Sequence, residues 1–382
     1  MKKNIYIMYV IALLQGMVFY GPIATLYRQA VGISIFQITL IESISLVIMI
    51  SLEIPLGHIA DRIGYRRTMI GCCCLYFISK IVFWKADSFG DFLFERILLG
   101  IVLAGLSGVD VSILYLSCTH GDSQRVFGIY NNLCQIGLLL AAGIYAVFIG
   151  DNYRTAGLLT VVSYGISACL AFGLKEVTKE KSNGISMKVS LGILKQVFSN
   201  KRLILVVLSV ALLNETHQTI TVFLNQLKYI KVGMSPSMIS IVYIIITISG
   251  LLGGFSSKIT DKIGDKNLGL LVFFSGSIAC ILLAFTKYAI IAVLGVLILR
   301  IGFSILQPLQ MKIQNEEITT RDRATALSMN AVIMDIIAIF TNVVFGKIAA
   351  VNLQASMVFG FILCIVGFVL YHYSWQAFNY NK

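Results

Sequence analysis

The chain has 382 residues, 58% of them hydrophobic and only 13% charged, with a mean hydropathy of +0.87. Soluble domains carry roughly 25% charged residues, and a water-soluble core cannot absorb this much apolar surface, so a soluble globular protein is excluded. The formal net charge of +12 does not mark a nucleic-acid binder, because Lys and Arg lie between apolar stretches rather than in one basic module.

Met1-Lys2-Lys3 before an apolar run resembles the start of a secretory signal. The run is long enough to span a bilayer, and further spans follow it instead of soluble sequence, so it reads as a retained first helix. Apolar stretches of about 20 residues, the length that crosses the hydrocarbon core, lie near 5–27, 35–57, 69–86, 91–117, 127–149 and 154–174. A Lys-rich stretch over 175–202 follows, and then spans near 203–226, 236–257, 268–286, 289–311, 325–347 and 354–374. The expected fold is an all-α integral membrane protein of twelve transmembrane helices in two six-helix pseudo-symmetric bundles. The bundles are 1–174 and 203–382, joined by a linker over 175–202.

Alternating the loops places both termini and most basic residues on one side, among them Arg62, Arg66, Arg67, Arg125, Lys195, Lys262, Lys266, Arg321 and Arg323. By the positive-inside bias that side is cytoplasmic, and the chain is expected to be multi-pass in the cytoplasmic membrane. An odd number of helices would split these loops between the two faces. The eight cysteines lie almost wholly inside spans, without Cys-x-x-Cys spacing, and read as small packing residues.

Asp61-Arg62-Ile63-Gly64-Tyr65-Arg66 follows the second span, and Asp261-Lys262-Ile263-Gly264-Asp265-Lys266 follows the eighth. Arg96 in the fourth span and Arg300 in the tenth recur at nearly the same offset. Two parallel repeats are the simplest account. The stretch from Gly57 to Arg67 resembles the loop signature of the major facilitator superfamily, and Leu52-Glu53-Ile54-Pro55-Leu56-Gly57 is similar to the form in its bacterial drug-efflux branches. Arg323-Ala324-Thr325-Ala326-Leu327-Ser328, opening the eleventh span, extends the likeness. Gly57 would let another helix approach closely, and Asp61 would place a carboxylate opposite a helix N-terminus. The resemblance makes that helix the eleventh, so that Gly57, Asp61, Arg62, Gly64 and Arg66, with Asp261 and Gly264 in the second copy, form a latch between the halves. A solvated loop that only sets topology is the alternative.

Arg96-Ile97-Leu98-Leu99-Gly100 followed by Gly105 is similar to a second family motif, whose Arg is associated with proton coupling. Burying an Arg costs roughly 2.5–3.5 kcal/mol on insertion scales, so it needs a partner, a wet cavity, or a route for snorkelling to the interface. The fifth span carries Gly128, Gly137 and Gly143 but lacks the Gly-Pro pair of the family's antiporters.

In the seventh span Asn214, Gln218, Thr221 and Asn225 follow helical spacing along one face, expected to line a cavity. The candidates for proton coupling are Arg96, Asp110 and Glu215. The cavity candidates are Gln15, Asn214, His217, Gln218, Thr221, Asn225, Arg300 and Asp335. Glu42, Glu53 and Lys80 are further polar groups within spans, of which Lys80 is expected to pair with a neighbouring carboxylate and Glu53 to join the latch. The first half is thus expected to supply most of the latch and the second much of the cavity chemistry. No phosphate loop, zinc motif or nucleophile elbow occurs, so neither a cofactor nor a metal is expected and the chain is not expected to be an enzyme. The expected function is secondary active transport of a small molecule by alternating access in a lipid bilayer, by a monomer. Proton-coupled efflux of an amphiphilic compound is the leading expectation. Proton-coupled uptake of a nutrient or metabolite, and a non-transporting membrane sensor of the same fold, are the alternatives.

Overall fold

A computed structural model describes residues 2–118, 123–150, 152–177, 200–317 and 323–380. Most of the expected linker lies outside the described residues, as do the side chains of Asp61 and of residues 323–326 and 328. Twelve helices are long and apolar enough to cross a membrane. They are α1 (Lys3–Ala30), α2 (Ile35–Ala60), α3 (Tyr65–Lys85), α4 (Phe89–Ser117), α5 (Arg125–Ile149) and α6 (Tyr153–Ala171), then α7 (Lys201–Lys231), α8 (Pro236–Ile263), α9 (Asp265–Phe285), α10 (Ala289–Glu317), α11 (Met329–Val351) and α12 (Leu353–Gln376). Helices are what such a sequence must form, because hydrocarbon offers no partner for a free N–H or C=O.

The repeat is written into the turns. After α1, Ile33 N–H donates to the Arg28 carbonyl (3.1 Å) and Gly32 N–H to Gln29 (2.9 Å); after α7, Met234 N–H donates to Tyr229 (3.0 Å) and Gly233 N–H to Ile230 (3.0 Å). Both are the glycine-centred helix stop in which the residue past the end takes a left-handed conformation, and Gly32 and Gly233 share φ +88°. Gly64 (φ +97°) and Gly264 (φ +82°) end α2 and α8 with a positive φ and an extended ψ, donating to Ala60 (3.1 Å) and Thr260 (2.7 Å). Asn152 opens α6 by accepting from Thr155 N–H (3.1 Å), and Asn352 opens α12 by accepting from Gln354 N–H (2.8 Å).

Two compact units result. One comprises α1–α6 with the first turns of α8 (Ser235–Ile244), and the other α7, the rest of α8 and α9–α12. Within the first, Ser240 Oγ donates to the Ala142 carbonyl of α5 at 2.8 Å. The helix pairs repeat: α1 packs on α5 and α6 as α7 does on α11 and α12, and α4 lies against α2 and α3 as α10 does against α8 and α9.

Several helices are interrupted. The regular α-helix of α1 stops at Gly16 and resumes at Ala24 after a 3-10 turn over Gly21–Ile23. The groups this loosens are satisfied from α6: Ser163 Oγ donates to the Leu14 carbonyl (2.5 Å), Tyr164 OH to Gln15 (2.6 Å), and Phe19 N–H to Thr160 Oγ1 (3.0 Å). The corresponding part of α7 is a π-helix over Thr219–Leu224. Although α4 was expected to run unbroken, it stops at Leu106 and restarts at Val109, with Gly108 at φ +79°.

Glycine sets how closely α1 approaches α5. A Cβ on Gly16 would run into the backbone of Cys134, and one on Gly137 into the carbonyl of Leu13. Neither obstacle is a flexible side chain, so the helices would have to part. Gly137→Val should therefore cost about 1–3 kcal/mol or more, read as a lower melting temperature of the purified protein, whereas Gly143→Val, at a position where a Cβ meets nothing within 4 Å, should leave it within a degree or two of the parent. Equal losses from the two substitutions would contradict this packing.

Candidate functional site

The first unit buries a chain of four charges. Glu42 comes from α2, Lys80 from α3, and Glu95 and Arg96 from α4. Arg96 Nη2 lies 3.0 Å from Glu42 Oε1, Arg96 Nε 3.5 Å from Glu95 Oε2, and Glu95 Oε1 3.4 Å from Lys80 Nζ. The Lys80 and Glu95 side chains are 5% and 1% exposed, those of Arg96 and Glu42 19% each. Glu95 is thus shared between two cations and sealed in, while Glu42 holds Arg96 from the open side.

Aromatic residues wall this network. Lys80 Nζ donates to Tyr20 OH (3.1 Å) and lies over the rings of Tyr76 (5.0 Å) and Tyr164 (5.4 Å). Tyr20 stacks on Phe83 with ring centroids 3.9 Å apart. Arg28, at the end of α1 and 1% exposed, lies over Phe83 (5.5 Å) and Phe92 (5.9 Å). Backbone geometry supports the arrangement too, since Ser45 Oγ of α2 donates to the Arg96 carbonyl at 3.1 Å.

Among the sequence candidates, Arg96 belongs to this network; it pairs with two carboxylates rather than reaching the interface. Gln15 is adjacent, its Nε2 3.5 Å from Cys73 Sγ, and its carbonyl holds Tyr164. Asp110 stands in the first turn after the break in α4, accepting from Val111 N–H (2.7 Å) and Tyr130 OH (3.3 Å). It sits apart, where Glu53 also accepts from Ser107 Oγ at 2.9 Å. Lys80 and Glu95 pair as adjacent spans permit. Glu42, Glu53, Asp91, Glu95 and Asp110 share the three consecutive spans with Lys80, Lys85 and Arg96, and no sequence signal singled out the four that pair.

The second unit gathers a smaller polar group on α7. Asn214 Nδ2 donates to Glu215 Oε1 (3.1 Å), and Asp335 of α11 lies close enough to act on Glu215 electrostatically. His217 stacks flat on Phe303 with centroids 4.3 Å apart and lies 3.4 Å from Thr221 Oγ1 through Nε2. Arg300 of α10 passes over Gly250, where a Cβ would come within 2.6 Å of its guanidinium. The single polar face expected for α7 is not continuous: Gln218 is exposed, whereas Thr221 and Asn225 are buried. The cause is the π-helix, whose i→i+5 bonding takes up an extra residue and turns everything after it.

The charge chain of the first unit is not repeated at the matching positions of the second. Where the first unit has Glu42, Lys80, Glu95 and Tyr164, the matching positions hold Val242, Cys280, Leu299 and Cys364. Cys280 and Cys364 are fully buried. Only Arg96 keeps a counterpart, Arg300.

The loop candidates are separate from both groups. Arg66 binds within its own unit, donating through Nε to the Leu174 carbonyl (2.5 Å), through Nη2 to Phe172 (3.2 Å) and through its backbone N–H to Glu176 (3.2 Å). Arg62 and Asp261 are exposed. A Cβ at Gly57 meets nothing within 4 Å, so the close helix approach expected there is not found among the described residues. Gly64 and Gly264 are needed for backbone conformation instead.

No curated protein matches the chain. Among solved structures, the nucleoside transporter NupG superposes with a TM-score of 0.81 at 17% identity, covering 98% of this chain and 99% of that one. A bacterial homologue of the human lysosomal transporter Spinster, in an inward-facing unoccupied conformation, gives 0.75 at 17% identity over 99% and 97%. A D-xylose–proton symporter gives 0.75 at 14% identity over 98% and 97%. These likenesses establish the fold; the drug-efflux branch suggested by residues 52–57 finds no counterpart among them. The sequence profile of the Major Facilitator Superfamily matches residues 5–342, and with twelve helices, a doubled glycine-ended loop and paired Arg96 and Arg300, the chain belongs to that superfamily of membrane transporters.

Proposed function

We propose that the chain is a secondary active transporter that moves a small molecule across the cytoplasmic membrane by alternating access, and that it is coupled to protons at the Glu42–Arg96 pair. The observation that carries this reading is the buried chain Glu42–Arg96–Glu95–Lys80. Charges inside a membrane protein are costly and accumulate along pathways for ions or substrate, and a scaffold has no use for four of them. Glu42 is the exchangeable member. Its partner Arg96 stays charged at all working pH, so a substrate group that takes the open face of Arg96 leaves Glu42 to exchange a proton. Glu95, held from two sides, keeps Arg96 and Lys80 in place meanwhile. Asp110 and Glu215 enter as further proton-carrying groups, Glu215 beside Asp335 in the second unit.

The proposed direction is inward, by symport. Support comes from α5, which lacks the Gly-Pro pair and uses Gly137 to seat α1, and from a polar, charged site that suits a polar cargo better than a purely apolar one. Cargo named for similar folds, a nucleoside and D-xylose, is of that polar kind. Lys and Arg placement supports cytoplasmic termini. The loops at Asp61 and Asp261 are proposed as the latch between halves, with Arg66 tying its loop to the end of α6.

Proteoliposomes with an imposed pH gradient of either sign test this reading. With a panel of nucleosides, pentoses, short carboxylates and amphiphilic amines, an inward proton gradient is expected to drive accumulation of one class. Accumulation driven only in the opposite sense would establish export. Glu42→Gln is expected to cut gradient-driven flux at least tenfold while leaving downhill exchange measurable. Glu215→Gln is expected to flatten the pH dependence of flux; an unchanged profile in a well-folded variant removes Glu215 from coupling.

A further inference from the structure

We propose that the first unit holds a site for a monoanionic amphiphilic substrate, a monocarboxylate in class, with Arg96 meeting the carboxylate and Arg28 supplying a positive charge that no carboxylate among the described residues pairs with directly. This inference rests on the transport reading above and names its substrate class.

The argument is charge balance. Three cations, Arg28, Lys80 and Arg96, face two carboxylates, Glu42 and Glu95. Each carboxylate is already engaged by Arg96 or Lys80. Arg28 is 1% exposed, and its Nε and one terminal nitrogen have no hydrogen-bond partner among the described residues. The charged groups that act on it are Arg96, Glu42 and Glu95. Faces of Phe83 and Phe92 soften its burial, yet cation–π contact contributes only about 0.5–2 kcal/mol, far less than isolating a charge in a medium of low dielectric costs.

A proton on Glu42 raises the surplus to two positive charges, and a monoanion on Arg96 brings it back to one. Arg28 is sealed, so the anion would not touch it; the accessible cation is Arg96, 19% exposed beside Glu42. A planar guanidinium takes a carboxylate through two parallel hydrogen bonds. The rings of Tyr20, Tyr76 and Tyr164 stand around the neighbouring Lys80, an aromatic surrounding that suits an apolar or aromatic body on the carboxylate. With Glu42 protonated, a neutral sugar would leave the surplus at two, and an amine would raise it further.

The test uses the purified full-length chain and three probes of one shape: benzoate, benzamide and benzylamine, at matched ionic strength. Benzoate is expected to raise the melting temperature saturably, and the other two are not. Glu42→Gln adds one more surplus charge and uncovers Arg96, so benzoate should bind about tenfold more tightly. Arg28→Met should bind it about tenfold more weakly, with Arg28→Lys restoring affinity to within about threefold, because charge rather than shape is what Arg28 provides. Should Arg28→Met fail to fold, Glu42→Gln decides. Preference for benzylamine, equal shifts from all three probes, no shift from any, or unchanged benzoate affinity in Glu42→Gln overturns the site. The two readings fail separately: benzoate binding without proton-linked flux leaves the anion site and removes coupling, whereas proton-linked flux of neutral solutes alone does the reverse.

Discussion

A guanidinium held between two carboxylates inside a membrane protein is the constraint on which the first unit is built. Arg96 cannot shed its charge, so α2 must bring Glu42 to it and α4 must keep Glu95 beside it. Glu95 in turn requires Lys80 from α3, and Lys80 requires the hydroxyl of Tyr20 and the ring faces of Tyr76 and Tyr164. Tyr164 is fixed by its bond to the Gln15 carbonyl, which is free to accept because α1 loses its regular helix after Gly16. Breaking any buried partner alone leaves an uncompensated charge, a loss of roughly 3–5 kcal/mol. The break in α1, the tight seat of α1 on α5 and the ion-pair chain are therefore one connected structure.

Duplication makes the asymmetry informative. Turns, glycine stops and Asn-opened helices recur 200 or 201 residues apart, as at Gly64 and Gly264 or Gly32 and Gly233, so the two units share a backbone plan. Their interiors diverge. Lys80 is answered by Cys280 and Tyr164 by Cys364, both fully buried, so the second unit packs apolar at these positions. The shared backbone plan therefore does not itself require the Glu42–Arg96–Glu95–Lys80 chain, which leaves those charges for the proposed coupling.

Much of the fold was legible in the sequence. Spans of the right length, the doubled Asp-x-x-Gly loop and the recurring Arg96 and Arg300 fix the class and the repeat, since lipid allows few alternatives. The site was less legible. Arg96 could be picked out as costly, but its partner Glu42 lies on another helix, as does Lys80, and neither is a near neighbour in the chain. Neighbouring positions on a helix point apart, which made Glu95 a poor guess; its length lets it reach back to both cations. On α7, regular spacing forecast one polar face that the π-helix splits between Gln218 and Thr221. Helical period alone carries no warning of such a segment.

Proton uptake on ligand binding, measured on the purified chain in weakly buffered solution, tests the central claim most directly. If the substrate's anion takes Arg96 from Glu42, benzoate should bring about one proton per chain into the wild-type protein and none into Glu42→Gln. Saturable benzoate binding without proton uptake, or the same uptake in Glu42→Gln, would contradict coupling at this pair.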